Sequence, residues 1–132
     1  MKVNSQKETV FAAAPKIFSL ITNCKNFGEF LPDQIENWEA GDDYCTFSFQ
    51  GLITLTLRIV EKEEFSKVVY RAENTQNIPV TFTIQIEDLG EECLIWIDSE
   101  MDLPIYLQGM VKKTFQKFVD AIVLKIKIEA EK

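Results

Sequence analysis

Histidine is absent from the 132 residues. That removes Ser-His and Cys-His nucleophiles, histidine-ligated zinc and proximal-His haem. Cysteine is sparse, with only Cys24, Cys45 and Cys93. An odd count without a C-x-x-C spacing gives neither a disulfide framework nor a zinc knuckle. Cys45 and Cys93 sit in alternating apolar runs and read as small buried hydrophobes. A Cys45–Cys93 bridge stays open as an alternative, although nothing points to export. No run reaches 18 apolar residues, so no membrane span is expected. The first ten residues hold no unbroken apolar stretch, so no signal peptide is expected and the cytoplasm is the default location. Cations are also short: 14 Lys and Arg stand against 21 Asp and Glu, a net charge of −7. An anionic surface repels phosphates, so nucleic acid is not an expected partner. No metal or other cofactor is expected.

What is present is an ordinary globular mix, 46% apolar and 27% charged. The length suits one domain spanning residues 1–132. Surface scaling puts the folded area at roughly 7,000 Å², about a third of that of the open chain. Residues 2–11 alternate weakly and predict one polar-faced strand. Ala12-Ala13-Ala14-Pro15 then opens a helix, since proline suits the first helical turn. Ile17, Phe18, Leu20 and Ile21 form its apolar face, and Asn23 is its stop. A second helical turn is predicted over Lys25–Phe30, before Leu31-Pro32.

From Gln34 to Met101 the period is two. Strands are predicted over 34–40, 44–49, 52–61, 66–72, 80–87 and 93–101. Gly41-Asp42-Asp43, Gln50-Gly51 and Asp88-Leu89-Gly90-Glu91 supply turns. Connections this short exclude parallel crossovers, so the strands form an antiparallel meander. Beyond Pro104 the period changes to that of a helix, from Ile105 to at least Leu124. Leu107, Met110, Val111, Thr114, Phe115, Phe118, Ala121, Ile122 and Ile126 fall within about 160° of each other. Lys125 intrudes on that stripe, so the packing ends there or the lysine snorkels. Asp102 is a candidate cap.

The expected class is therefore α+β. The long helix needs an apolar surface, and only the inner face of the sheet is large enough. A curled sheet and a straight helix leave room between them.

The element order resembles the START-like superfamily, with its helix-grip fold. That group includes birch-pollen-allergen-like proteins, polyketide cyclases and lipid-transfer domains. The resemblance covers the whole chain. It rests also on Ala13-Ala14-Pro15-Lys16-Ile17-Phe18, on Asn23-Cys24-Lys25-Asn26-Phe27 and on Asp102-Leu103-Pro104. It implies a curved seven-stranded antiparallel sheet wrapped on the C-terminal helix, with two short helices after the first strand. It also implies a pocket for a small hydrophobic ligand such as a lipid, an isoprenoid or an aromatic metabolite. The candidate lining is Phe47, Phe49, Leu55, Leu57, Val68, Tyr70, Phe82, Ile84, Ile95, Met110, Phe115 and Phe118. Core and lining share one composition, so each of these also reads as simple core.

The polar candidates are few. Tyr70 lies on the apolar face and needs a partner, either a ligand carbonyl or a backbone group. Cyclase-like relatives place acid–base groups in the cavity, whereas the inward positions here carry no Asp, Glu, Arg or Lys. Asp98 and Glu100 share a strand face with Trp96 and read as solvent-side. Arg58 and Arg71 are expected to pair with glutamates across strands. Residues 105–132 carry six cations and three anions, against 8 and 18 in residues 1–104. The helix lysines are candidates for peripheral contact with anionic lipid or an acidic partner, or form a plain solvated face. Ligand binding leads. A cyclase or dehydratase and a protein-interaction module with a filled core, using Trp38 and Trp96, are the alternatives.

Overall fold

The structure is a computed structural model that describes residues 1–31, 35–49, 53–74 and 77–132. Its accessible surface is 7326 Å², close to the area the scaling rule gives for a chain of this mass. The elements in order are β1 (Lys2–Asn4), β2 (Glu8–Val10), α1 (Ala14–Thr22), a 3₁₀ turn (Cys24–Asn26) and α2 (Phe27–Phe30). Then follow β3 (Ile35–Ala40), β4 (Tyr44–Phe49), β5 (Ile53–Glu63), β6 (Lys67–Asn74), β7 (Val80–Asp88), β8 (Cys93–Met101) and α3 (Ile105–Ala130).

All strands join one antiparallel sheet in the order β1-β8-β7-β6-β5-β4-β3, with β2 also on β8. The expected meander is therefore present from β3 to β8. The expected single first strand is instead two. Val3 pairs with Ser99 and Thr9 with Leu94, so the register slips by one residue between them. The extra residue is absorbed at Ser5–Lys7. There Ser5 keeps Ile97 through its backbone and its hydroxyl, and the Gln6 N–H turns away to Asp120. This is bulge behaviour, set by the partner strand rather than by local pattern.

Alternation places one face of each strand inward, and pairing aligns these residues in rows across the sheet. Val68, Ile84 and Ile97 make one row. Ile59, Tyr70, Phe82 and Ser99 make the next. Cys45, Leu57, Ala72, Val80 and Met101 make a third, and Phe47, Leu55 and Asn74 a fourth. In β5 the run of pairs slips between Ile59 and Glu61, which turns Val60 out to solvent. The predicted Gln50-Gly51 turn lies outside the described residues.

α1 begins with Pro15 in its first turn and buries Ala14, Ile17, Phe18 and Ile21. Asn23 ends it and then accepts the Lys25 N–H, so one residue stops α1 and starts the 3₁₀ turn. Each fully buried isoleucine here contributes on the order of 2 kcal/mol. Gly41 suits the turn from β3 into β4, because a Cβ there would run into the Tyr44 ring.

α3 runs through Ala130, beyond the expected minimum, and its buried residues are Phe118, Val119, Ile122, Val123, Ile126 and Ala130. The buried arc is rolled by about 80° from the predicted stripe. Met110, predicted inward, is 76% exposed, while Val119 and Val123 are fully buried. The cause is a set of polar straps along one edge of the helix. Gln116 Nε2 donates to the Asn4 carbonyl at 2.7 Å, Lys127 Nζ to Thr9 at 2.6 Å, and Asp120 and Glu131 accept the N–H groups of Gln6 and Phe11. Lys125 snorkels: its Nζ donates to the Leu31 carbonyl at the end of α2, 2.8 Å away. Asp102 is not the cap. The N-cap is Pro104, without a side-chain bond, and Asp102 N–H instead donates to Pro79.

Candidate functional site

The apolar interior divides into a closed half and an open half. Val68, Ile84 and Ile95 are 0–2% exposed and belong with Ile17 and Ile21 to one continuous core. α1 packs on β6 and β7 at this end. Phe47, Leu57 and Tyr70 are equally well covered. These six predicted lining residues are buried within that core.

The N-terminal half of α3 is different. Leu107, Val111 and Phe115 stay half-buried, although they continue the inward arc of Phe118 and Ile122. Leu55 and Ile78 are also half-buried against the core. Ile78 is held by Asn74, whose side chain bonds both its N–H and its carbonyl. Asn74 lies opposite Leu55 in the sheet. The next residue, Pro79, is bonded to Asp102 just before α3. Backbone pairing thus brings Leu55, Ile78 and the start of α3 to one end of the molecule.

The floor of that end is aromatic. Phe115 meets Phe82 with ring centroids 5.4 Å apart and stacks on Phe118 at 5.9 Å. Of the predicted lining, Leu55, Phe82, Phe115 and Phe118 therefore converge here. Met110 does not, because the roll of α3 turns it to solvent. The side chain of Phe49 lies outside the described residues. Leu107, Val111 and Ile78 were missed as site residues. Val111 was recognisable from its helical spacing, whereas Ile78 sits in a polar loop without period.

Tyr70 is committed elsewhere. Its hydroxyl donates a short hydrogen bond to the carbonyl of Ile21, one of the last carbonyls of α1, which lack helical partners. Phe27 packs edge-on against its ring at 5.3 Å. Burial holds the phenol well above its ordinary pKa, with Cys24 and Cys45 adding to the effect. The same burial pushes Cys24 up to about 11 and Cys45 up to about 12. All three cysteines are free and buried, so there is no Cys45–Cys93 bridge.

The remaining polar candidates lie outside this end. Asp98 is half-buried on the other face of the sheet, accepting from Trp96 Nε1 at 3.2 Å and Gln85 at 3.4 Å. Lys7 stands over the Trp96 ring, and Trp38 lies against Gly28 of α2. Arg58 pairs with Glu73 at 3.5 Å, as expected. Arg71 does not follow: it faces Arg58 and Thr81 and makes no ion pair among the described residues. No group of three metal-ligating side chains occurs among the described residues, and none of their helices is long and apolar enough to cross a membrane.

Neither a family model nor a curated protein sequence matches the chain. Solved structures do. A START superfamily protein from Mycobacterium smegmatis superposes with a TM-score of 0.74 at 17% identity, covering 98% of this chain and 97% of that one. The chain has the START-like fold. The protein XoxI from Bacillus cereus gives a TM-score of 0.75 at 12% identity, over 98% and 94% of the two chains. Norcoclaurine synthase from Thalictrum flavum, in complex with dopamine and hydroxybenzaldehyde, gives 0.75 at 16% identity, over 98% and 85%. At these identities the START-like architecture is what is shared.

Proposed function

We propose that the protein binds a small hydrophobic molecule in the seam between the N-terminal half of α3 and the inner face of the sheet. One observation carries this. The inward residues Leu55, Ile78, Leu107, Val111 and Phe115 stay half-buried where the same helix, two turns later, is sealed against its core. An apolar molecule there would cover side chains that the fold leaves wet, at about 25 cal/mol per Å² before the costs of binding. Likeness to a START superfamily protein and to a synthase that holds two small aromatic molecules supports the same reading.

The chemistry of the lining favours binding over catalysis. A cyclase or dehydratase needs a positioned proton donor or acceptor. The phenol of Tyr70 is bonded to Ile21, and the hydroxyl of Ser99 to the Val3 carbonyl. The ammonium of Lys125 is on Leu31.

The test is titration with N-phenyl-1-naphthylamine, a neutral dye that fluoresces in apolar surroundings, together with denaturing mass spectrometry of freshly purified protein. The expected results are saturable one-to-one dye binding, competition by a copurified apolar molecule, and loss of both in Val111→Trp. Absence of saturable binding and of any copurified molecule would overturn the proposal.

A further inference from the structure

The start of α3 also carries an outward surface that nothing in the fold explains. Ile105, Tyr106 and Met110 are 87%, 81% and 76% exposed. Isolated exposed apolar residues are ordinary, but three within the first six residues of one helix form a patch. Three lysines follow, Lys112, Lys113 and Lys117, all exposed and without an ion pair among the described residues. On the helix, Tyr106, Met110, Lys113 and Lys117 fall within about 60° of one another. Ile105, the first residue of the helix, and Lys112, two turns later, lie roughly 80–160° round from this face. No acidic residue stands between Asp102 and Asp120, and Asp120 is occupied by Gln6 and Gln116. The first turn has neither an acidic residue nor a side-chain cap, so its free N–H groups add to the positive field.

We propose that this face docks on the surface of an anionic lipid bilayer, with Tyr106, Met110 and, at the helix tip, Ile105 entering the interface and Lys113 and Lys117 meeting lipid phosphates. Apolar tips followed by a lysine cluster are the chemistry of an interfacial helix. The local charge is opposite to that of the rest of the chain. A second copy of the chain fits less well. The three apolar side chains expose roughly 500 Å², short of the ~800 Å² each partner buries in a standard stable pair. The proposal is independent of whether the seam holds a ligand.

The test is flotation of the full chain with two kinds of vesicle, phosphatidylcholine alone and phosphatidylcholine with about 30 mol% phosphatidylglycerol. The expected result is flotation with the anionic vesicles only, weakening as salt is raised, with each lysine worth about fivefold in partitioning. Ile105→Asp combined with Met110→Asp should lower flotation at least about tenfold. The double change Lys113→Glu and Lys117→Glu should abolish it. Lys62→Glu, on β5, should leave it unchanged. All these side chains are exposed, and thermal melts matching the parent protein confirm that the variants fold. Failure to float with either vesicle, or variants floating like the parent, overturns the proposal. A dimer in sedimentation equilibrium that Met110→Asp dissolves, without vesicle binding, also overturns it and assigns the face to a second copy.

Discussion

Raising the pH tests how the core around Tyr70 is built. Cys24, Cys45 and Tyr70 are buried and closely coupled, and burial favours their neutral forms. In the unfolded chain the thiols lose their protons near 9 and the phenol near 10. In the folded chain Cys24 does so at about 11 and Cys45 at about 12. As pH rises past 9 the unfolded state therefore binds fewer protons than the folded state, and stability falls. Below about 9 the contribution of all three groups is complete. Each titrating group then removes roughly 1.4 kcal/mol per pH unit. By pH 11 the two thiols together have cost about 5 kcal/mol, and Tyr70 acts in the same direction. Cys93 acts in the same direction. That loss is comparable to the whole stability of an ordinary domain, so unfolding should set in between about pH 10 and 11.

The assay is urea unfolding at half-unit steps from pH 7 to 10.5, followed by tryptophan fluorescence. The midpoint should be flat to about pH 9 and then fall steeply. Cys24→Ala combined with Cys45→Ala should halve the slope or better, even if the variant starts less stable. Tyr70→Phe should change the curve only above about pH 10, apart from a uniform drop of 1–3 kcal/mol for the lost donor to Ile21. A midpoint that stays level through pH 10.5 would refute the reasoning, because the thiols would then titrate freely in the folded protein.

Two further outcomes are expected. Phe82→Ala removes the ring that joins the sheet to Phe115 and should cost about 3–5 kcal/mol by urea unfolding. Because Phe115 is only half-buried, a value below this range would mean that the open end collapses into the gap. Arg71→Glu converts the facing Arg58–Arg71 pair into one of opposite charge. It should raise stability by about 0.2–1 kcal/mol at low salt, a gain that disappears in high salt and in the Arg58→Gln background.

The meander was legible because a half-buried strand writes its face into every second residue. The runs at 44–49 and 93–101 end where the strands end. α1 and its stop at Asn23 were legible from local punctuation, a proline in the first turn and an amide at the end. What escaped the reading depends on distant partners. The break between β1 and β2 exists because β8 supplies two registers, and no feature of residues 2–11 announces it. The roll of α3 has the same origin. Hydropathy alone placed Met110 and Thr114 inward. Four straps, from Gln116, Asp120, Lys127 and Glu131 to the first strands, together outweigh one exposed methionine, and three of them involve a charged group.

That roll also explains why the helix serves two surfaces at once. Had the predicted stripe faced the sheet, Met110 would lie over the open end and help to close it. With the helix turned toward β1 and β2, the C-terminal half gains Val119 and Val123 as core. The N-terminal half leaves Val111 and Phe115 wet on the inner side, with Tyr106 and Met110 bare on the outer. The same polar straps therefore account for the half-sealed seam and for the exposed apolar start of the helix. Their residues, Asn4, Gln6, Thr9 and Phe11 on one side and Gln116, Asp120, Lys127 and Glu131 on the other, are distinct from those that form either surface. The two proposed activities are thus physically linked through the angle of one helix. Loosening the straps would alter the seam and the outer face together.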